Sequence, residues 1–229
     1  YGFKFLLDIH YSDFWADPGK QNKPAAWKNM NAQELEKAVY EYTADVMKAL
    51  NEAGCVPDMV QTGNELNGGM LWPEGKTWAN GEEKIGGIKT FAKFLKAAGK
   101  AVRENDKTGK VKIAIHLADG GDNALYRHIF DGLTKEKVDF DAIGLSYYNY
   151  WHGSLAALEA NMADLAKRYG KEMFVAETAY AYTEEDFDSQ GNVFNPYSPW
   201  ISPVCDIAYI KHYICKSKQE WWDRRLSKI

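Results

Sequence analysis

The chain has 229 residues, of which 45% are hydrophobic and 14% aromatic, so it can bury a large core and suggests one ordinary globular domain. Its formal net charge is −4, and lysine and arginine are scattered among acidic residues without a basic block. This pattern argues against a nucleic-acid partner or an anionic membrane surface, and the sequence contains no apolar run of about 18 residues that could insert into a membrane. We therefore expect a neutral or small partner.

The cysteines carry no metal or disulfide signal. Cys55, Cys205 and Cys215 lack CxxC spacing and are odd in number, so we interpret them as core or incidental thiols. The chain opens directly on a strand-like run, FKFLLDIH. We expect that it has lost what came before, in which case a missing signal peptide says nothing about export.

In chain order, the first predicted strand covers residues 3–10 and leads into a long aromatic loop over residues 11–27. Asn31 predicts the N-cap of a helix, with Glu34 at the third position, and Gly54 ends that helix. The predicted apolar stripe of the helix consists of Leu35, Val39, Tyr42, Val46 and Leu50. A strand over residues 59–63 and a second long loop over residues 67–83, with Trp72 and Trp78, follow.

The rest of the chain alternates strands and helices. A helix is predicted over residues 85–105, with Ile88, Phe91, Leu95, Ala98 and Val102 on one face. Strands over residues 111–117, 140–148 and 173–179 then alternate with helices over residues 123–133 and 154–169. Such alternation predicts a parallel sheet with right-handed crossovers.

Polar residues gather at the carboxyl ends of the predicted strands, where (β/α) barrels and doubly wound sheets both build their sites. They are Asp8, His10, Asn64, Glu65, His116, Tyr147, Tyr148 and Glu177. Five strand-helix units are visible rather than eight, so the fold is either an open sheet or a piece of a barrel, whose usual length is about 250 residues. The long loops favour the piece of a barrel.

Two of these strand ends deliver a glutamate, in the stretches MVQTGNELNGG and MFVAETAY. Together with LLDIHYSDFWADPGKQNKPAAW, IAIHLADGGDN and FDAIGLSYYNYWHGSL, they resemble the glycoside hydrolase family 53 endo-β-1,4-galactanases, secreted barrel enzymes that cut the galactan side chains of pectin. The resemblance covers residues 3–183 in order. It implies an incomplete (β/α)8 TIM barrel, from about the third strand to the seventh.

The resemblance also implies a division of the chain. Residues 1–196 would form the partial catalytic barrel domain, and residues 197–229 an atypical tail that resembles neither the family nor a barrel ending. A frameshift or assembly error upstream of the recorded terminus is one hypothesis for this tail, which resequencing the gene would settle.

By the same resemblance, Glu65 is the general acid and base of a retaining mechanism, and Glu177 is the nucleophile. Asn64 is expected to bind the 2-hydroxyl of the sugar. Either Tyr147 or Tyr148 would donate a hydrogen bond to the nucleophile, and the sequence does not choose between them. The remaining substrate-binding candidates lie at strand ends and in rim loops, where aromatic rings can pack on sugar faces. They are His10, Asp13, Trp15, His116, Trp151 and His152.

The segment DFDSQGN alternates oxygen ligands, so Asp186, Asp188 and Asn192 could bind a structural calcium ion, the alternative being a solvated turn. No cofactor is expected for catalysis. We expect a monomer that acts on neutral β-1,4-galactan in a secreted, cell-surface or periplasmic location. Two other hypotheses remain: a related retaining glycosidase acting on mannan or xylan, and a non-catalytic carbohydrate-binding remnant whose open barrel exposes sheet edges.

Overall fold

The computed structural model describes residues 2–80 and 85–179. Their contacts divide them into two compact units, which we call the first unit (residues 2–118 and 124–144) and the second unit (residues 119–123 and from 145 on). The predicted tail at residues 197–229 lies outside the described residues. The boundary that we predict at residue 196 therefore stays a prediction.

The described residues contain seven strands and four α-helices. The strands are β1 (Leu6–Ile9), β2 (Met59–Thr62), β3 (Ala79–Asn80), β4 (Ile85–Gly86), β5 (Lys112–Leu117), β6 (Ala142–Ser146) and β7 (Glu172–Glu177). The helices are α1 (Ala32–Glu52), α2 (Ile88–Asn105), α3 (Asn123–Lys135) and α4 (Leu155–Tyr169). Among the described helices, none is both long and apolar enough to cross a membrane.

The main strands pair in parallel, as the alternation with helices predicts. In the first unit β1 lies beside β2, with Leu6 opposite Met59, and β2 lies beside β5, with Met59 opposite Lys112. The first residues of β6 continue this order beyond β5, and in the second unit the end of β6 lies beside β7. Parallel neighbours bring their carboxyl ends to one edge, so the polar strand ends of each unit collect there.

Helix α1 begins as the sequence predicts. The side-chain oxygen of Asn31 accepts hydrogen bonds from the backbone N–H groups of Gln33 and Glu34, at 2.9 and 3.1 Å. The Glu34 carboxylate accepts the Asn31 N–H in return at 2.8 Å. This reciprocal capping box satisfies donors that the first helical turn leaves without partners.

The buried stripe of α1 differs from the predicted one. The prediction is right for Leu35 and Val39, but the buried face continues through Thr43, Ala44 and Met47. Tyr42 is 48% exposed, and Val46 and Leu50 are only half-buried. Thr43 looks like a surface residue in the sequence, yet its hydroxyl donates to the Val39 carbonyl at 2.7 Å and lies 2.7 Å from the Tyr11 hydroxyl, so its polarity is satisfied inside the core.

Helix α2 has the predicted core face except at Ile88, which is only half-buried. Phe91, Leu95, Ala98 and Val102 are all at most 1% exposed. The helix begins at Ile88 rather than residue 85, because β4 pairs in an antiparallel ladder with β3 at this point. Helices α1 and α2 pack against each other, and α2 also contacts β2. Cys55 is exposed, so it is an incidental thiol rather than a core one, and Cys205 and Cys215 lie outside the described residues.

Candidate active site

Asn64 and Glu65 follow the end of β2 in the first unit, where the backbone turns sharply. Glu65 has φ 49° and ψ 56°, the left-handed conformation, and caps a short 3-10 turn over Leu66–Gly68. Both side chains are largely buried, with 5% of Asn64 and 8% of Glu65 exposed. A left-handed residue with a Cβ atom costs about 1–2 kcal/mol, so neighbouring contacts must hold this turn in place.

The Asn64 side chain is fixed by contacts on both of its ends. Its Nδ2 donates a hydrogen bond to the Ala16 carbonyl at 2.9 Å. Its Oδ1 accepts a hydrogen bond from Gln61 Nε2 at 3.2 Å and lies 2.8 Å from His116 Nδ1. The Ala16 carbonyl requires the nitrogen of the amide on its side, so Oδ1 faces the histidine. The backbone N–H of Glu65 and the Gln61 Nε2 lie 3.4 and 3.1 Å from the same His116 Nδ1.

His116 is fully buried, with 0% of its surface exposed. Burial lowers its pKa from 6.5 to about 4, while the nearby Asp8 carboxylate opposes that shift and His10 adds to it. The imidazole is therefore neutral at pH 7 and carries one proton on its two ring nitrogens. One of its ring nitrogens lies within 4.8 Å of a Glu65 carboxylate oxygen. The predicted contact of His116 with substrate stays a prediction, and the contacts described here orient Asn64.

His10 follows β1 and is held in one tautomer. Its Nδ1 accepts the backbone N–H of Ala16 at 2.9 Å, so Nε2 carries the proton and lies 3.1 Å from Asp8 Oδ2. The other carboxylate oxygen of Asp8 is buried without a hydrogen-bond partner among the described residues. Asp8 is therefore a polar residue of this strand end that is missing from the predicted site residues. Its place at the end of a strand is visible in the sequence.

The loop after β1 carries two further predicted residues. Asp13 accepts the Ala25 N–H at 2.7 Å, so its described contact braces the loop itself. Trp15 is 87% exposed. In the loop after β2, Trp72 is an anchor: its Nε1 donates to the Gly68 carbonyl at 2.9 Å, and its ring packs edge-on against Trp78. Substrate contact by Asp13 and Trp15 stays a prediction.

Gln21 is a buried residue of the same loop that the sequence reasoning missed. It is 2% exposed, and its Nε2 donates hydrogen bonds to the carbonyls of Asn64 and Glu65 at 2.8 and 3.2 Å. A glutamine in a loop rich in turn-forming residues gives no signal of this kind in a single sequence. Only the fold brings it to the turn that carries Glu65.

In the second unit, Glu177 ends β7 beside the end of β6. The Tyr148 hydroxyl donates a hydrogen bond to Glu177 Oε2 at 3.0 Å. The backbone N–H of Tyr147 donates to the Glu177 carbonyl at 2.8 Å, and the Tyr147 hydroxyl donates to the Gly153 carbonyl at 3.1 Å. Of the two tyrosines that the sequence left open, Tyr148 is therefore the one whose hydroxyl contacts this carboxylate.

The loop after β6 places the last predicted aromatic residues. His152 Nδ1 accepts the Tyr148 N–H at 3.1 Å, and its Nε2 lies 3.5 Å from Asp119 Oδ1. Trp151 is 61% exposed and packs edge-on against the Tyr148 ring at 5.8 Å between centroids. These contacts join Tyr148 to the loop that follows it. The predicted calcium ligands Asp186, Asp188 and Asn192 lie outside the described residues.

Parallel strand-helix units with a glutamate at the carboxyl end of two strands have the architecture of the (β/α)-barrel glycosidases. The chain belongs to glycosyl hydrolase family 53, whose sequence profile matches residues 1–212.

Two sequence relatives illustrate this membership. A protein of Niallia circulans, described as an uncharacterized protein in the bgaB 5' region, is 47% identical over 195 residues, which is 85% of this chain and 53% of that protein. The arabinogalactan endo-beta-1,4-galactanase of Cellvibrio japonicus is 40% identical over 84% of this chain and 50% of its own length. The chain spans about half the length of these relatives.

Solved structures support the same fold. The GH53 catalytic domain of Ignisphaera aggregans has a TM-score of 0.74 and 44% identity, covering 82% of this chain and 49% of that one. A structure from a study of two fungal beta-1,4-galactanases has a TM-score of 0.71 and 34% identity, covering 78% of this chain and 53% of that one. The predicted fold class is confirmed: the chain has the fold of an incomplete (β/α)8 barrel, to which the described residues contribute the strands β1, β2, β5, β6 and β7.

Proposed function

We propose that the protein is an endo-acting β-1,4-galactanase that cleaves (arabino)galactan by a retaining double displacement. The observation that carries the proposal is the pair of strand-end glutamates in a chain of family 53, one of them in contact with a tyrosine hydroxyl. Several relatives bear galactanase names, among them the Cellvibrio japonicus protein and a Bacillus subtilis endo-beta-1,4-galactanase that is 38% identical over 83% of this chain.

The two carboxyl groups take different roles in this proposal. Glu65 donates a proton to the glycosidic oxygen as the bond to the anomeric carbon breaks, and Glu177 attacks that carbon to form a glycosyl-enzyme. Water, deprotonated by Glu65, then releases the sugar with its original anomeric configuration. The hydrogen bond from the Tyr148 hydroxyl to Glu177 supports the second role, because it stabilises an ionised carboxylate.

Asn64 supplies an amide next to the proposed acid. Three neighbours hold this amide: the Ala16 carbonyl, Gln61 and His116. We assign it to the sugar 2-hydroxyl, whose hydrogen bonds strengthen in the transition state of this reaction. Because this amide is already oriented, it loses little additional conformational entropy when the substrate binds.

The substrate is proposed to be neutral galactan of the kind found in pectin side chains. Exposed aromatic residues, Trp15 in the first unit and Trp151 in the second, offer faces on which pyranose rings pack through their C–H groups. The net charge of −4 and the absence of basic blocks suit an uncharged polysaccharide. We further propose a secreted or cell-surface location and a monomeric state, which fit a polymer outside the cell.

The test compares substrates on the full-length protein that carries these residues. Reducing ends should appear with β-1,4-galactan, while mannan and xylan should be cleaved far more slowly, and early products followed by NMR should keep the β configuration. Glu177→Gln and Glu65→Gln should each lose nearly all turnover on galactan, and Glu52→Gln, an exposed position at the end of α1, should keep it. Preferred cleavage of mannan or xylan would instead assign the protein to a related retaining glycosidase, and sugar binding without hydrolysis would indicate a non-catalytic protein.

A structural calcium ion is a separate proposal. Asp186, Asp188 and Asn192 would supply oxygen ligands from one segment, and other loops would have to complete the shell of six to eight that calcium prefers. A rise in thermal unfolding temperature with calcium, reversed by a chelator and lost in Asp186→Asn, would support the ion. Equal unfolding temperatures with and without calcium would exclude it.

A further inference from the structure

The side chain of Gln21 ends against three backbone carbonyls. Its Nε2 lies 3.1 Å from the Asp17 carbonyl, 2.8 Å from that of Asn64 and 3.2 Å from that of Glu65. Reversing the amide would point its oxygen at three oxygens, so the orientation with nitrogen toward the carbonyls is the only one that satisfies this buried group. We infer that Gln21 is a positioning residue for the acid/base Glu65, an inference that rests on the proposed function.

The two contacts at the turn hold both peptide planes around the Glu65 Cα atom. The Asn64 carbonyl belongs to the peptide before this Cα, and the Glu65 carbonyl belongs to the peptide after it. Fixing both planes fixes φ and ψ of Glu65, and these angles set the direction of its Cα–Cβ bond. Glu65 has the left-handed values of 49° and 56°, which its own sterics disfavour, so an outside contact is needed to keep the carboxyl group aimed.

Gln21 is itself anchored, so it can serve as a fixed donor. Its backbone carbonyl accepts the Trp72 N–H at 2.7 Å. The preceding turn is closed by two backbone hydrogen bonds between Asp17 and Lys20, at 3.0 and 3.2 Å. Two residues further on, Lys23 forms a largely buried ion pair with Glu74 at 2.8 Å. The loop after β1 is thus bound to the loop after β2 at Gln21 and at Lys23.

A misplaced Glu65 slows glycosylation only where that step needs its proton. On galactan the departing sugar hydroxyl is a poor leaving group, and it needs the Glu65 proton as its bond to the anomeric carbon breaks. A dinitrophenolate leaving group is stable as an anion and departs without that proton. Loss of the Gln21 contacts should therefore slow glycosylation from galactan and leave glycosylation from the activated substrate nearly intact.

The experiment measures kcat/KM on galactan and on 2,4-dinitrophenyl β-1,4-galactobioside, since this constant reports the glycosylation step. Gln21→Met keeps the size of the side chain and removes its donors. It should lose about 10- to 100-fold on galactan, the scale expected for a misplaced catalytic group, with little loss on the activated substrate. Glu65→Ala should show a larger difference between its losses on the two substrates. Gln33→Met, at an exposed position in the first turn of α1, is the matched control and should change neither constant.

Equal losses of kcat/KM on both substrates would show that Gln21 only supports folding. No loss on either substrate would show that the turn at Glu65 keeps its conformation without Gln21. Either result would overturn the inference. If Gln21→Met does not fold, Gln21→Asn replaces it, because this amide is one methylene too short to reach both carbonyls. Gln21→Asn should likewise lose kcat/KM on galactan and not on the activated substrate. A wild-type protein that cleaves neither substrate would refute the proposed function instead. This inference alone would be refuted if the wild type and Glu65→Ala behave as expected but the Gln21 variant shows no difference between the two substrates.

Discussion

The Asn64 side-chain oxygen lies 2.8 Å from Nδ1 of a histidine, His116, that has no exposed surface. Burial lowers the pKa of this imidazole to about 4, so the ring is neutral at pH 7. Charging a ring that is buried beside Asn64 costs desolvation energy. The stability of the protein should therefore respond to acid through this one ring.

Acid should destabilise the protein through His116. Its pKa is about 4 in the folded protein and 6.5 when exposed, so the unfolded chain binds the proton first as the pH falls. The stability that a neutral ring contributes is present above pH 6.5 and is lost as the pH falls through about 4, to a total of about 3 kcal/mol. Urea unfolding at a series of pH values should show this loss in the wild type.

His116→Asn should remove that loss, because asparagine keeps a polar side chain at this buried position and does not titrate. His128→Asn provides the control, since His128 is exposed on α3. The wild type and the control should lose stability in parallel between pH 6.5 and 4, and His116→Asn should lose less. Parallel curves for all three proteins would contradict a buried neutral His116.

Asn64→Asp should place a negative charge next to His116. The new carboxylate would face His116 Nδ1 and favour the protonated ring, so the pKa of His116 should rise from about 4. It would also bring an oxygen against the Ala16 carbonyl, which now accepts from Asn64 Nδ2. We expect a large loss of kcat together with a higher midpoint for His116 in an NMR titration. Asn29→Asp, at an exposed loop position, should leave both unchanged.

Tyr148→Phe should slow hydrolysis more than Tyr147→Phe does. The Tyr148 hydroxyl donates to the carboxylate of Glu177, whereas the Tyr147 hydroxyl donates to a neutral carbonyl. A hydrogen bond to a charged group contributes about 1.5–3 kcal/mol, which corresponds to about a 10- to 100-fold loss in kcat for Tyr148→Phe. Steady-state kinetics on galactan measure both variants. A larger loss in Tyr147→Phe would reverse the assignment of the donor.

Gly69→Ala should unfold the protein far more easily than Gly109→Ala. Both glycines have positive φ, 88° and 64°, so alanine is strained at either position. At Gly109 nothing lies near an added Cβ, and the cost should be about 1–2 kcal/mol. At Gly69 the Cβ would overlap the Gly75 carbonyl, which adds about 1–3 kcal/mol of overpacking. Similar urea midpoints for the two variants would contradict the close approach of these backbones.

The sequence predicts the order of the main strands and helices because each has a clear period and clear end signals. Asn31 with Glu34 marks the start of α1, and the α2 face follows from regular apolar spacing. The α1 stripe was misassigned because Thr43 is polar, and its burial depends on Tyr11, which is distant in the sequence. The β3–β4 ladder was missed because each strand has only two residues, too few to show alternation.

The sequence predicts those site residues that lie at the ends of strands. Asn64 and Glu65 follow β2 and Glu177 ends β7, so their places could be read from the pattern and from the family resemblance. The role of Gln21 and the contact between His116 and Asn64 could not, because both depend on contacts between segments more than 40 residues apart. The choice between Tyr147 and Tyr148 depends on side-chain direction, which two adjacent residues of one type do not reveal.

The exposed indoles make the protein suitable for optical measurement. Trp15 and Trp151 are 87% and 61% exposed, so their emission should be red-shifted and readily quenched by acrylamide or iodide. A pyranose ring stacked on either indole would exclude both water and quencher from one face. Titration of an inactive Glu177→Gln protein with galactan oligosaccharides should therefore give a blue shift, and Trp15→Phe and Trp151→Phe would report how much of the signal each ring contributes.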